Sequence, residues 1–169
     1  QKNRGFYHTI TYFWKMMAGS KKRVVFLIVL SSIFFTGGMF AQDTLKILRN
    51  NLEIMDHNDP VFISESIRFC ELVLHTEDAP LIPQYSDLAI KAAELSGDTT
   101  SIVKLHSICG DYYWKTGLLS DAARQFNEIR ILAEGDQRSD WQALSFNGLG
   151  TVYYLMEDYS KAREYYHLG

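Results

Sequence analysis

Two stretches of the chain, 40 residues apart, carry the same pattern: CGDYYWKTGLLSDAARQF (Cys109–Phe126) and LGTVYYLMEDYSKAREYY (Leu149–Tyr166). The matched positions are Gly110 with Gly150, Tyr113 with Tyr153, Trp114 with Tyr154, Leu119 with Tyr159, Ala122 with Ala162, and Phe126 with Tyr166. A fixed period of this length is typical of a repeat protein, in which each repeat buries its apolar face against the next one. The sequence therefore predicts stacked copies of one structural unit.

Outward from these stretches, the apolar residues fall at helical spacing. One stripe consists of Ile63, Ile67, Cys70 and Leu74, after a capping Asp59 and an opening Pro60, and another consists of Tyr85, Leu88, Ala89 and Ala92, which stops at Gly97. No segment alternates with period two over the length of a strand. The turns DHNDP, SGD, KTG, EGDQ and MED are short, which predicts that successive helices run antiparallel. The predicted fold class is all-α, an antiparallel helix-hairpin solenoid.

A second pair of similar stretches is SGDTTS and EGDQRS, in which Gly97-Asp98 matches Gly135-Asp136 at an offset of 38. On this interpretation the two-residue difference falls where one helix is slightly longer. Glycine within a helix costs about 1 kcal/mol relative to alanine, so Gly110 and Gly150 need a structural reason. We expect each to face the alanine of the following helix, Ala122 or Ala162, while the aromatic residue one turn further on fills the remaining space.

The pattern of a small residue, then Tyr, then Ala nine residues on, then an aromatic residue, resembles the tetratricopeptide repeat (TPR) family. The residues that carry the resemblance are Gly110, Tyr113, Gly117, Ala122 and Phe126, and then Phe146, Leu149, Gly150, Tyr153, Tyr159, Ala162 and Tyr166. His106 replaces the usual tryptophan and Cys109 the usual leucine, and the period exceeds the family's length of about 34 residues. The resemblance implies two TPR repeats over 99–169, the last one incomplete, after a degenerate helical repeat region over 42–98.

In the TPR family, the first helices of the repeats line a concave face that binds peptides or protein segments. Carried over by position, this implies a groove formed by Lys104, Ser107, Asp111, Trp114, Lys115, Leu144, Asn147, Thr151, Tyr154 and Leu155. Trp114 and Tyr154 are the expected anchors, since such side chains dominate binding hot spots. The alternative is that they pack against a neighbouring repeat. The implied partner is a protein or peptide, and no cofactor or metal is implied.

The N-terminal part has a different composition. Residues 1–41 contain six Lys/Arg and no acidic residue, whereas residues 42–169 contain eleven Lys/Arg against twenty Asp/Glu, a balance of −9. Within 21–41, three cations precede an apolar run that starts at Val24, followed by small residues before Gln42, a pattern typical of a signal peptide. Met39 fits poorly at its position before the cut, so an uncleaved anchor over 24–41 is the alternative, and a buried soluble helix is a third.

Residues 1–20 are expected to be a non-native or cytoplasmic extension, with Met16 or Met17 as the true start. The chain is thus expected to be exported, either periplasmic or anchored in the membrane facing the periplasm. Its acidic body disfavours binding to nucleic acid.

Motifs for catalysis are missing from the sequence: it has no phosphate loop, no dinucleotide-binding glycine pattern, no His-Glu-x-x-His and no Gly-x-Ser-x-Gly. The histidines lack the spacing of metal ligands, and His106 is expected to replace a core aromatic residue. Cys70 and Cys109 lie on apolar stripes, which favours buried thiols over a disulfide. The acidic pairs Glu77-Asp78 and Glu157-Asp158 are expected to cap helices or face solvent.

From the resemblance and the N-terminal segment, the expected function is protein–protein interaction. The chain would be the periplasmic sensory part of a membrane-bound signalling protein that has a histidine kinase or a helix-turn-helix domain further on. A stand-alone periplasmic or outer-envelope scaffold is the alternative, and an enzyme is the least favoured class.

Overall fold

Short turns join seven α-helices in a computed structural model that describes residues 43–169, and this part of the chain contains no strand. The helices are α1 (43–54), α2 (Pro60–Val73), α3 (Ile82–Ser96), α4 (Thr99–Lys115), α5 (Leu119–Asp136), α6 (Ser139–Leu155) and α7 (Tyr159–Leu168), and a 3₁₀ turn (Ala79–Leu81) leads directly into α3. The all-helical prediction is confirmed, and the arrangement is compatible with an α-solenoid.

The expected extension over 1–20 and the signal or anchor segment over 21–41 lie outside the described residues. Among the helices of residues 43–169, none is long and apolar enough to cross a membrane.

Aspartate side chains begin three of the helices. The backbone N–H of Val61 donates to Asp59 Oδ1 (2.9 Å), and Pro60 is the first residue of α2, as predicted. The N–H of Ser101 donates in the same way to Asp98 Oδ1 (3.1 Å), and that of Lys161 to Asp158 Oδ1 (3.2 Å). These carboxylates satisfy backbone donors that have no partner within the helix, which fixes where α2, α4 and α7 start.

Successive helices from α2 to α7 pack against one another, and the turns between them are short. Residues Leu45–Gly169 form one compact unit with two buried clusters. The first cluster joins α1 to α4, and the second joins residues of α4, α5 and α6. Tyr113 and Leu132 pack against both clusters, so the two cores are continuous through α4 and α5.

The 40-residue period extends further towards the N-terminus than the sequence indicated. The 3₁₀ turn, α5 and α7 begin at Ala79, Leu119 and Tyr159. The cross-helix contact of Gly110 with Phe126 recurs 40 residues earlier between Cys70 and Ser86, whose Sγ and Oγ atoms are 3.6 Å apart. The region before residue 98 therefore follows the same period, but a cysteine and a serine stand where the later repeats have a glycine and an aromatic ring.

The nearest neighbours of the helical glycines are aromatic rings, which lie directly opposite Gly110 and Gly150 and not one turn further on as expected. A Cβ on Gly110 would lie 2.7 Å from Cζ of Phe126, and one on Gly150 would lie 2.7 Å from Cδ1 of Tyr166. The ring of Phe126 also lies so close to Gly148 of α6 that a Cβ there would overlap its Cδ1, Cε1 and Cγ atoms. Phe126 is thus enclosed between glycines of the helices on either side of α5.

The offset of 38 between the two Gly-Asp pairs was also wrong in structural terms. Gly97 ends α3 in the left-handed conformation (φ 71°), and its equivalent at the end of α5 is Gln137 (φ 53°), 40 residues on. Gly117 and Glu157 form a second such pair, with φ of 80° and 64°. The similarity of the two Gly-Asp pairs gave the wrong alignment because Gly135 lies inside α5. At the end of α5 it is Gln137 that adopts the left-handed conformation, which is usually adopted by glycine.

Alanine substitutions at Gly110, Gly148 and Gly150 should show whether the aromatic ring opposite each glycine is enclosed or able to move away. Gly110→Ala and Gly148→Ala should each destabilise the protein by about 1–3 kcal/mol, because Phe126 is held from both sides and cannot move away. Gly150→Ala should cost less than about 1 kcal/mol, because Tyr166 can rotate into solvent and alanine favours the helix by about 1 kcal/mol. Urea unfolding of the three variants measures this. Equal losses at Gly110 and Gly150 would contradict it.

Gln137→Gly should raise the melting temperature by a few degrees, corresponding to about 0.5–1 kcal/mol, because a side chain at positive φ is strained and glycine is not. Gly97→Ala is the matched control with the opposite sign. It introduces the same strain at the equivalent helix end, where a Cβ has no atom within 4 Å, so conformation alone should lower its stability. A Gln137→Gly variant that melts below the wild type would refute the assignment of backbone strain to Gln137.

Candidate ligand-binding face

Helix α6 contains no charged residue from Trp141 to Leu155, although one of its sides faces solvent. Leu144, Tyr154 and Leu155 on that side are 38%, 56% and 43% exposed. A helix at a protein surface normally carries charged and polar residues on its outer side. The uncharged outer side of α6 is therefore the first candidate for contact with another molecule.

The five predicted groove residues of α6 form one stripe. Leu144, Asn147, Thr151 and the pair Tyr154-Leu155 are three or four residues apart, so they share a side of the helix. The Thr151 hydroxyl donates to the backbone carbonyl of Asn147 (2.9 Å) and lies 3.2 Å from the hydroxyl of Tyr166 on α7. Thr151 is thus held by its neighbours, whereas the two leucines and Tyr154 are free to meet a ligand.

The predicted groove residues of α4 are more polar and more strongly tied to their neighbours. The Trp114 Nε1–H donates to Asp111 Oδ1 (3.0 Å), and Lys115 Nζ lies 5.7 Å from the centre of the Trp114 ring. Lys104 forms an ion pair with Glu71 of α2 (2.8 Å), while Ser107 is half-buried.

The two expected anchors differ in burial. Trp114 is half-buried and packs against the second cluster, so it contributes to the core as well as to the surface. Tyr154 is exposed, and its ring meets Tyr159 edge-on at 5.5 Å, across the turn between α6 and α7. Of the two aromatic residues, Tyr154 is therefore the one whose surface is more available to a ligand.

His106 lies in a polar cleft that the sequence did not indicate. Its Nδ1–H donates to Gln125 Oε1 on α5 (2.7 Å), whereas the residues 40 positions later, Phe146 and Tyr165, form an aromatic contact at 6.2 Å. The cleft has a volume of about 340 Å3 and lies among α3, α4 and α5, lined by Asp87, Ile90, Lys91, Glu94, His106, Arg124, Gln125 and Glu128. The 40-residue alignment could have indicated this difference, because it matches His106 and Gln125 with Phe146 and Tyr165.

Both cysteines are buried and unbridged, and they lie in the first cluster. Burial raises the pKa of the Cys70 thiol to about 12 and that of Cys109 to about 11, and a hydrogen bond with Ser86 opposes the rise at each. A thiol with a raised pKa is almost entirely protonated at neutral pH and reacts slowly. These residues therefore fill core volume and offer no nucleophile.

Residues 43–169 contain no group of three or more His, Cys, Asp or Glu side chains that could hold a metal ion. No protein-family model matches the chain. Searches of curated proteins and of solved structures found no match either. The interpretation of the candidate face consequently rests on its own geometry and chemistry.

The raised thiol pKa values predict a loss of stability in alkali. In the unfolded chain the thiols ionise near pH 9, so the stability that the protonated thiols contribute is complete below that pH. As the pH rises from about 9 through 11 and 12, the contribution should fall by up to about 1.4 kcal/mol per pH unit for each thiol. The free energy of unfolding in urea, measured between pH 8 and pH 11, tests this.

Cys70→Ala is the control, because its cavity lowers stability at every pH while it removes one ionising group. Its stability should therefore fall less steeply with pH than that of the wild type. Curves of equal slope for the two proteins would contradict the raised pKa of Cys70.

Titration of the denatured, unreduced protein should give two thiols per chain.

Proposed function

We propose that the outer sides of α4 and α6 bind an extended peptide or a segment of another protein, as in the TPR family that the repeat pattern resembles. The observation that carries the proposal is the uncharged outer side of α6, where Leu144, Tyr154 and Leu155 are exposed. A face of this kind gains free energy when apolar groups of a ligand cover it.

The repeat geometry explains why Leu144 and Leu155 are exposed. Leu144 and Leu155 are equivalent, 40 residues on, to Lys104 and Lys115 of α4, which remain exposed although α6 lies beside α4. A neighbouring helix therefore leaves these positions exposed. Leucine at a position that stays in solvent supports a binding role more strongly than leucine at a position that a neighbour buries.

The chemistry of the face suggests what the ligand presents. On α6 the ligand would place apolar or aromatic side chains against the two leucines and Tyr154. On α4 it would meet Lys115 beside the Trp114 ring and the carboxylate of Asp111, which already accepts from the indole N–H. The preferred ligand is a segment with apolar residues at one end and a hydrogen-bonding or acidic group at the other.

Export, membrane attachment and a sensory role upstream of a kinase or a DNA-binding domain remain predictions of the sequence, as does the alternative of a stand-alone scaffold. Their basis is the segment 21–41 and the family resemblance, and that segment lies outside the described residues. The peptide-binding proposal holds in either setting.

A displayed library of random peptides, selected on the immobilised chain, tests the proposal. Peptides that bind the wild type should bind the double variant Leu144→Ser/Leu155→Ser at least tenfold more weakly, because loss of a buried hot-spot contact costs about 2 kcal/mol. Fluorescence anisotropy with a labelled selected peptide gives the dissociation constants.

Ile131→Ser is the matched control, since it removes an exposed apolar side chain from α5, outside the proposed face. It should leave the affinity unchanged. Selected peptides that bind the leucine double variant as well as the wild type, or that are lost with Ile131→Ser, would place the binding surface elsewhere.

A further inference from the structure

The outer edge of α7 repeats one half of an interface that the structure forms elsewhere in full. We propose that this edge is a helix-docking surface whose occupant is the first helix of a further repeat of the same 40-residue type, with a glycine opposite the ring of Tyr166. The inference does not require peptide binding, because it rests on the packing around Tyr166 of α7, although the surface also includes Asn147 and Tyr154 of the candidate face.

The complete interface is the one around Phe126. Its ring lies over Gly110 of its own hairpin and against Gly148 of the next helix, and only 3% of its surface is exposed. A Cβ at either glycine would overlap the ring. The α5–α6 contact thus requires a minimal side chain on the incoming helix, directly opposite the aromatic residue.

Tyr166 is the equivalent of Phe126 one period later and has the first of these two contacts. Its ring lies over Gly150 in the same way, and its hydroxyl is 3.2 Å from that of Thr151. The ring is therefore already positioned by α6. Its other side is open, and 47% of the residue is exposed.

The surroundings of Tyr166 are open over the same area. Arg163 and His167 are exposed, whereas their equivalents on α5, Ala123 and Asn127, are half-buried. These two residues line a groove of about 540 Å3 together with Ser160, Glu164 and Leu168. The open surface of α7 therefore extends beyond the Tyr166 side chain.

Helix α6 gives independent support. Asn147 and Tyr154 are exposed, while the equivalent residues of α4, Ser107 and Trp114, are half-buried. The excess exposure thus occurs on both helices that a following first helix would touch. Helix α6 of a second copy fits less well, because its Gly148 is already covered by Phe126 in every copy.

The test uses a labelled peptide with the sequence of α6, Ser139–Leu155, flanked by lysines for solubility, and a matched peptide with Gly148→Leu. Each is titrated with the full 169-residue chain and followed by fluorescence anisotropy. The first peptide should bind, and the leucine peptide should bind at least tenfold more weakly, because its side chain meets the Tyr166 ring.

Tyr166→Ala in the chain supplies a size-complementation control. It removes the ring, so the difference between the two peptides should shrink to less than about threefold, while Ile131→Ser on α5 should leave it unchanged. Circular dichroism of each variant shows whether the helices are intact.

Three results would overturn the proposal. The first is equal binding of both peptides to the wild type, which indicates non-specific apolar adhesion, and the second is no binding of either peptide up to about 1 mM. The third is self-association of the wild type in sedimentation equilibrium that Tyr166→Ala abolishes, since a second copy would then be the occupant. Loss of peptide-library binding on the leucine double variant bears on the other face and leaves this outcome unaffected.

Discussion

The enclosure of one aromatic ring between two glycines sets the spacing of the central helices. Phe126 can lie within 3 Å of the Cβ positions of Gly110 and Gly148 only because neither residue has a side chain. The glycines lower the intrinsic stability of α4 and α6, and the close packing of the ring offsets that cost. Since α5 meets a helix on each side through the same ring, the positions of α4 and α6 depend on this contact.

The same register produces different chemistry in each repeat. Where α4 and α5 have a glycine and a phenylalanine, the preceding pair has Cys70 and Ser86, whose thiol and hydroxyl meet inside the first cluster. Where α6 and α7 have Phe146 and Tyr165, the middle pair has His106 and Gln125. The period is thus a property of backbone spacing, and the side chains that fill each position vary in polarity as long as their combined volume fits.

Much of the fold was predictable from local chemistry. The helical spacing of apolar residues, Asp59 with Pro60 at the start of α2, and Gly97 at the end of α3 each act within a few residues, so the sequence shows them directly. The predicted groove residues of α6 follow from the same period, since residues three and four apart share a side of a helix. The structure places Leu144, Tyr154 and Leu155 in solvent, but their ligand stays a prediction.

The sequence by itself determined the helices, their order and the 40-residue period, because these depend on residue types at short spacing. Only the tertiary structure decided which residues meet. It placed aromatic rings directly against the helical glycines, showed that Gln137 ends α5, and joined His106 to Gln125. Such pairings depend on how far one helix rotates and slides against another, and that is fixed by the packing of whole side-chain volumes across the interface.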